Sequence, residues 1–128
     1  MKKFYLTLIA VLLFGGTFSG CKKDALGPSD IRIINKSVFT YEDVFVDTSE
    51  GTNDYGNVSP GATTDYKRFT KAYREAHILL NINGEEYELQ PVDYTYEVPL
   101  GKGKFSYELS ADTLTKSLSI HVTADAPL

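Results

Sequence analysis

Few side chains in this 128-residue chain could carry chemistry: one cysteine, two histidines and no tryptophan, set among 17 acidic residues and nine tyrosines. Zinc chemistry needs Cys and His ligands clustered at short spacing, whereas Cys21, His77 and His121 stand far apart. His77 opens an alternating run and His121 sits between Ile120 and Val122, so both read as exposed strand residues. Acyl transfer needs a nucleophile, a base and a third group that orients the base, and no Gly-x-Ser-x-Gly turn is present. A glycosidase needs two carboxylates roughly 5–9.5 Å apart, but also a deep cleft, which a small β domain rarely forms. The chain is expected not to be an enzyme.

Binding chemistry has more to work with. Asp47-Thr48-Ser49-Glu50-Gly51-Thr52-Asn53-Asp54 is rich in hard oxygen ligands, which makes calcium the one cofactor left open. The run lacks the Asp-x-Asp-x-Asp-Gly order and closing Glu of an EF-hand, so a solvated turn is the expectation. Lys67, Arg68, Lys71 and Arg74 form the basic cluster. Such a run guards a sheet edge against strand addition, or else reads an acidic polysaccharide or protein. Tyrosine gives a rigid amphipathic contact surface at low entropic cost. Tyr87 and Tyr107 are expected in the core, and Tyr55, Tyr66, Tyr94 and Tyr96 are the candidate ligand surface.

The elements that must position these residues are strands. From Ile31 onward apolar residues recur mostly at every second position, and Val, Ile, Thr, Tyr and Phe are abundant. Residues 77–90 carry Asn83-Gly84, a two-residue hairpin turn that fixes register by geometry. It pairs Ile82 with Glu85, Asn81 with Glu86, Leu80 with Tyr87, Leu79 with Glu88 and Ile78 with Leu89. Further strands are expected at 31–35, 41–47, 55–59, 63–69 and 94–100, with Phe105, Tyr107 and Leu109 on the next and Leu118, Ile120 and Val122 on the last. Seven or eight short strands with regular turn signals predict an all-β fold, an antiparallel β-sandwich of immunoglobulin-like or transthyretin-like type.

Residues 1–20 have a different character. Lys2 and Lys3 precede an apolar run from Phe4 to Phe14, followed by small residues up to Gly20. That is the tripartite pattern of a secretory signal, and its apolar part is too short for the ~20 residues of a spanning helix. Phe18-Ser19-Gly20-Cys21 resembles the lipobox of bacterial lipoproteins, with Phe18 where Leu is commonest. The resemblance implies cleavage before Cys21, a diacylglycerol thioether on its sulfur, and frequently palmitate or a similar acyl chain on the new amine. Residues 21–29 then form a lipidated tether and residues 30–128 the domain. Lys23-Asp24 matches half of the Bacteroidota surface-export signal, so outer-membrane localisation, facing periplasm or cell exterior, is expected. Loss of Lys2 and Lys3 takes the formal net charge from −4 to −6, which argues against nucleic acid as a partner.

Three patterns extend the resemblance. Asn35-Lys36-Ser37, Tyr55-Gly56-Asn57-Val58-Ser59-Pro60-Gly61 with Thr63-Thr64-Asp65-Tyr66, and Gly103-Lys104-Phe105-Ser106-Tyr107 are similar to the small β-sandwich lipoproteins of Bacteroidota. Asp112-Thr113-Leu114 resembles the Asp-Thr-aliphatic acceptor of their O-glycosylation, which makes Thr113 a candidate site. The expected function is a non-catalytic binding or accessory module, tethered to the membrane and partnered by polysaccharide or a larger surface complex. The rival is a structural subunit of a pilus or surface assembly.

Overall fold

A computed structural model describes residues 27–94 and 97–127. They form eight strands and no helix: β1 (Ser29–Asn35), β2 (Tyr41–Asp47), β3 (Thr52–Val58), β4 (Lys67–Phe69), β5 (His77–Ile82), β6 (Glu85–Leu89), β7 (Gly103–Asp112) and β8 (Ser117–Ala126). Two four-stranded sheets, ordered β4-β1-β7-β8 and β3-β2-β5-β6, face each other as a β-sandwich.

The β5–β6 hairpin has the register that the Asn-Gly turn predicts, pair for pair from Ile78↔Leu89 to Ile82↔Glu85. Asn83 and Gly84 have φ of 51° and 81°. Positive φ at both central residues is the primed-turn geometry whose twist matches that of the strands it joins. Ile78, Leu80, Ile82 and Tyr87 are consequently buried on one face.

One pairing departs from the expected antiparallel arrangement. β1 runs parallel to β7 along its whole length, from Ser29↔Gly103 to Asn35↔Leu109. All other ladders are antiparallel. Each connection reverses the chain, so odd-numbered strands share one direction. Two of them that become neighbours must be parallel. An immunoglobulin domain keeps its first two strands in one sheet. Here β1 and β2 lie in different sheets, which departs from that immunoglobulin arrangement.

The expected strand at 94–100 does not form over its described residues. This segment carries the chain from β6 in one sheet to β7 in the other. Glu97 N donates to Tyr94 O at 3.0 Å and Leu100 N to Ala72 O at 2.8 Å, a turn and a cross-loop bond rather than a ladder. The Tyr94 ring stacks on Tyr73 at 4.7 Å between centroids, so its alternation serves loop packing. The strand expected at 63–69 is shorter too. Only Lys67–Phe69 pairs as β4, with an isolated bridge between Ile34 and Thr63.

Between the sheets lie Ile31, Ile33, Tyr41, Val44, Val46, Phe69, Ile78, Leu80, Tyr107 and Leu109, all at or below 1% exposure. Fully burying an aliphatic side chain of this size contributes roughly 1.5–3 kcal/mol. The two large polar side chains in this layer are tied off: Tyr41 Oη donates to Leu109 O at 2.8 Å and Tyr107 Oη to Tyr73 O at 2.6 Å. β1 begins at Ser29, the last residue of the expected tether, whose buried hydroxyl donates to Gly101 O.

Burial raises the Tyr107 hydroxyl, helped by Tyr94 and opposed by its bond to Tyr73. Burial also raises that of Tyr55, with smaller contributions from Tyr107 and Asp30. A phenol whose folded value lies above its unfolded one stabilises the fold fully below about pH 10, and that contribution fades as pH rises further. Thermal melts should therefore fall steeply above pH 10. Tyr55→Phe should flatten the fall; a melt unchanged between pH 9 and 11.5 would contradict this.

Candidate functional site

Alternation along β1 and β7 sends Ile31, Ile33, Phe105 and Tyr107 inward and Asp30, Arg32, Lys104 and Ser106 outward. In the parallel register Asp30 lies beside Lys104 and Arg32 beside Ser106. β8 brings Asp125 to the same outer face, at the irregularity where its pairing with β7 shifts between Lys104 and Phe105. Tyr66, immediately before β4, lies across this group.

The parts are tightly connected. Tyr66 Oη donates to Asp125 Oδ2 at 2.9 Å, and Ser106 Oγ donates to the same oxygen at 2.6 Å. Arg32 Nε donates to Ser106 Oγ at 2.8 Å and stands 3.6 Å from Asp125 Oδ2. The Arg32 guanidinium carbon lies 5.0 Å from the centre of the Tyr66 ring and Lys104 Nζ 5.1 Å from it. Both are within cation–π range. Desolvation, the hydrogen bond to Asp125 and that carboxylate's charge raise the Tyr66 hydroxyl, while Arg32 opposes them. The phenol stays protonated at neutral pH and keeps donating. Beside this group Arg68 forms a two-pronged pair with Asp30, at 2.8 and 3.2 Å.

The arrangement is a fixed aromatic plate accompanied by two cations and one carboxylate. What it presents outward is an aromatic ring with positive charge on Arg32 and Lys104 beside it. An acidic group is attracted by Lys104 and by the Arg32 guanidinium, whose terminal nitrogens have no hydrogen-bond partner among the described residues.

Of the other tyrosines of the expected ligand surface, Tyr55 and Tyr94 are not gathered here. Tyr55 is packed against the core, with its hydroxyl donating to Ile31 O at 2.7 Å and Lys67 Nζ 5.7 Å from its ring centre. Tyr94 stacks on Tyr73 in the connection after β6. Tyr96 and Cys21 lie outside the described residues. Arg32 and Asp125 carry no motif in the sequence, and Lys104 and Ser106 stand in the Gly103–Tyr107 pattern without marking a ligand surface. Their signal was only the polar half of the strand alternation, which most solvated faces share.

The remaining candidates are placed as follows. His77 Nε2 meets Glu88 Oε2 at 2.7 Å on the polar face of the hairpin, and His121 is exposed. In the 47–54 run, Asp47 Oδ1 accepts from Ser49 N at 2.7 Å, Glu50 pairs with Lys71 at 3.0 Å, and Asn53 Nδ2 donates to Arg68 O at 2.9 Å. Among the described residues no three His, Cys, Asp or Glu side chains converge as a metal site would require. Of the basic cluster, Lys67 and Arg68 belong to β4, an edge strand, and Arg74 is exposed. Thr113 is exposed in the β7–β8 turn, where Asp112 Oδ1 accepts from Leu114 N at 2.9 Å. No helix among the described residues is long and apolar enough to cross a membrane.

No family model matches the chain, and no curated protein matches it. Among solved structures it is similar to a protein from Eubacterium rectale determined by NMR. The two are 13% identical, the match covers 80% of this chain and 93% of the other, and the TM-score is 0.52. At that identity the likeness is one of fold alone.

Proposed function

We propose that this protein is a non-catalytic binding module, anchored through a lipid on Cys21 to the outer membrane, whose ligand is an acidic polysaccharide. The observation that supports the ligand is the Tyr66 plate with Arg32 and Lys104 beside it. Carboxylated sugars present an anionic group next to an apolar ring face, and an aromatic side chain with adjacent cations complements both. Because Asp125 and Ser106 already hold Tyr66 and Arg32, binding orders few side chains and loses little entropy. The anchor sets the working distance. Seven residues between Cys21 and Ser29 span at most about 25 Å, so the domain works close to the bilayer.

Titration calorimetry with polygalacturonate, and with neutral dextran as control, tests the ligand. The acidic polymer should bind and weaken with salt, while dextran should not bind. Tyr66→Ala and Arg32→Ala should each reduce affinity about tenfold, in line with the roughly 1–2 kcal/mol of a partly desolvated cation–aromatic contact. Equal binding by parent and variants would remove this face from consideration. Failure of every acidic glycan to bind would remove the polysaccharide reading itself.

A further inference from the structure

A sandwich of two open sheets has four edge strands, here β4, β8, β3 and β6. Each exposed edge offers unpaired backbone donors and acceptors to another chain, and folded proteins normally blunt them. Three of the four are blunted. β4 is three residues long and carries Lys67 and Arg68. β3 contains Gly56 and Asp54 and shifts register twice against β2. β6 presents Glu85, Glu86 and Glu88, which would repel a second copy. β8 has none of these defences over residues 117–123. It is ten residues long, pairs regularly with β7 from Ser117 to Thr123, and carries no Lys, Arg, Asp, Glu or Pro in that stretch.

The sequence of that stretch, Ser-Leu-Ser-Ile-His-Val-Thr, is nearly symmetric about Ile120. An antiparallel pairing with a two-fold axis at Ile120 sets Leu118 opposite Val122, Ser119 opposite His121 and Ser117 opposite Thr123. Apolar residues then meet on the core side and polar ones on the outer side. Cross-strand pairs of matched character are what stabilise a ladder. Next to the edge, Leu89, Pro91, Val92 and Ile120, with Glu75 and Gln90, line a slot of about 110 Å³, and Val92 is 98% exposed. The apolar side chains of this slot, beside an unguarded edge, are surface that a second strand would cover.

The geometry points to a homodimer formed by antiparallel addition of β8 to β8 of a second copy, joining two four-stranded sheets into one of eight. Self-complementary edges give a closed, isologous contact, because each copy supplies the same patch. Lipid anchoring favours it further, since copies held on one membrane surface meet at raised effective concentration.

The test uses the full chain in detergent micelles, with protein mass read by light scattering corrected for detergent. Twice the chain mass is expected, falling to the monomer on dilution. Ser119→Lys with His121→Lys places four lysines on the outer side of the junction, at positions exposed in the single chain, and should give monomers with an unchanged melting temperature. A second readout needs no disruption. Chains with Ser119→Cys mixed with chains carrying His121→Cys should form a disulfide-linked pair well above the background from Cys21 in the parent chain. A monomeric parent at all concentrations, a dimer that survives the lysine variant, or absence of the mixed disulfide would each overturn the proposal. So would species that keep growing with concentration, which indicate an open assembly instead of a closed pair.

Discussion

Replacing Cys21 with Ser should move this protein from the membrane fraction to the soluble fraction of the cell that exports it, nearly completely. The expectation follows from the reading of Phe18-Ser19-Gly20-Cys21 as a lipobox. Each buried methylene adds ~0.8 kcal/mol, and although one acyl chain binds a membrane only reversibly, two or more hold a small domain stably. Serine cannot form the thioether, so all of that attraction is lost in one substitution. The net charge of −6 that remains beyond residue 20 offers no attraction to anionic headgroups in compensation. Fractionation with immunodetection reads the result, and mass spectrometry of the N-terminal peptide reads its cause. An unmodified Cys21, or a Cys21→Ser protein that still sediments with membranes, would refute the anchor and with it the localisation.

The second large effect concerns Asn35, which is fully buried at the end of β1. Its Nδ2 donates to Phe39 O at 2.7 Å and Val58 O at 2.9 Å, and its Oδ1 accepts from Ser37 N and Ser37 Oγ, both at 2.8 Å. Its backbone joins the turn after β3, with its N–H donating to Ala62 O and its carbonyl accepting from Gly61 N. One amide thus holds the β1–β2 connection and the end of β3 together. Asn35→Ala strips the buried Val58 carbonyl of its side-chain donor, while Phe39 O keeps the Ser37 hydroxyl at 3.1 Å. At roughly 1–3 kcal/mol for a buried group left unpaired and about 1 kcal/mol for the other bonds lost, the loss should reach about 3 kcal/mol. That is a drop of roughly 15–25 °C in melting temperature for a domain of this size.

Asn35→Asp separates the hydrogen bonds from the shape. A carboxylate keeps the contacts to Ser37 but turns negative charge toward two carbonyls, so it should destabilise at neutral pH at least as much as alanine. Part of that loss should return as pH falls from 7 toward about 4, because protonation of the buried acid relieves the charge and restores one donor. Denaturant unfolding of the three proteins at pH 7 and pH 4 checks both points. A change below 1 kcal/mol in Asn35→Ala would show that water replaces the amide at little cost.

The sequence by itself determined whatever depends on near neighbours along the chain. The β5–β6 register was readable because a two-residue turn leaves no freedom in how its flanks meet. The polar face for His77 and the buried one for Tyr87 followed from the same constraint. The class of fold followed from the period of two, and the tyrosines of β6 and β7 fell into the core by that period alone. The acidic balance and the signal-like pattern at residues 1–20 are properties of composition and order, and need no fold to be stated.

Tertiary structure decided everything that depends on which distant strands become neighbours. Alternation marks both faces of β1 and β7 but does not say that these two strands meet, so their parallel pairing was invisible. Residues 94–100 alternate like a strand, yet Tyr94 spends its ring on Tyr73 because the chain must cross between sheets there. The Asn35-Lys36-Ser37 pattern gave no hint that its amide would be sealed between a turn and the end of another strand. Tyr66 found Arg32, Lys104 and Asp125 from three other segments only when β4, β1, β7 and β8 were laid side by side. Local sequence encodes period and turn geometry within a few residues; sheet order arises from the burial of whole faces against each other, and the site on the outer face of the first sheet inherits its arrangement from that order.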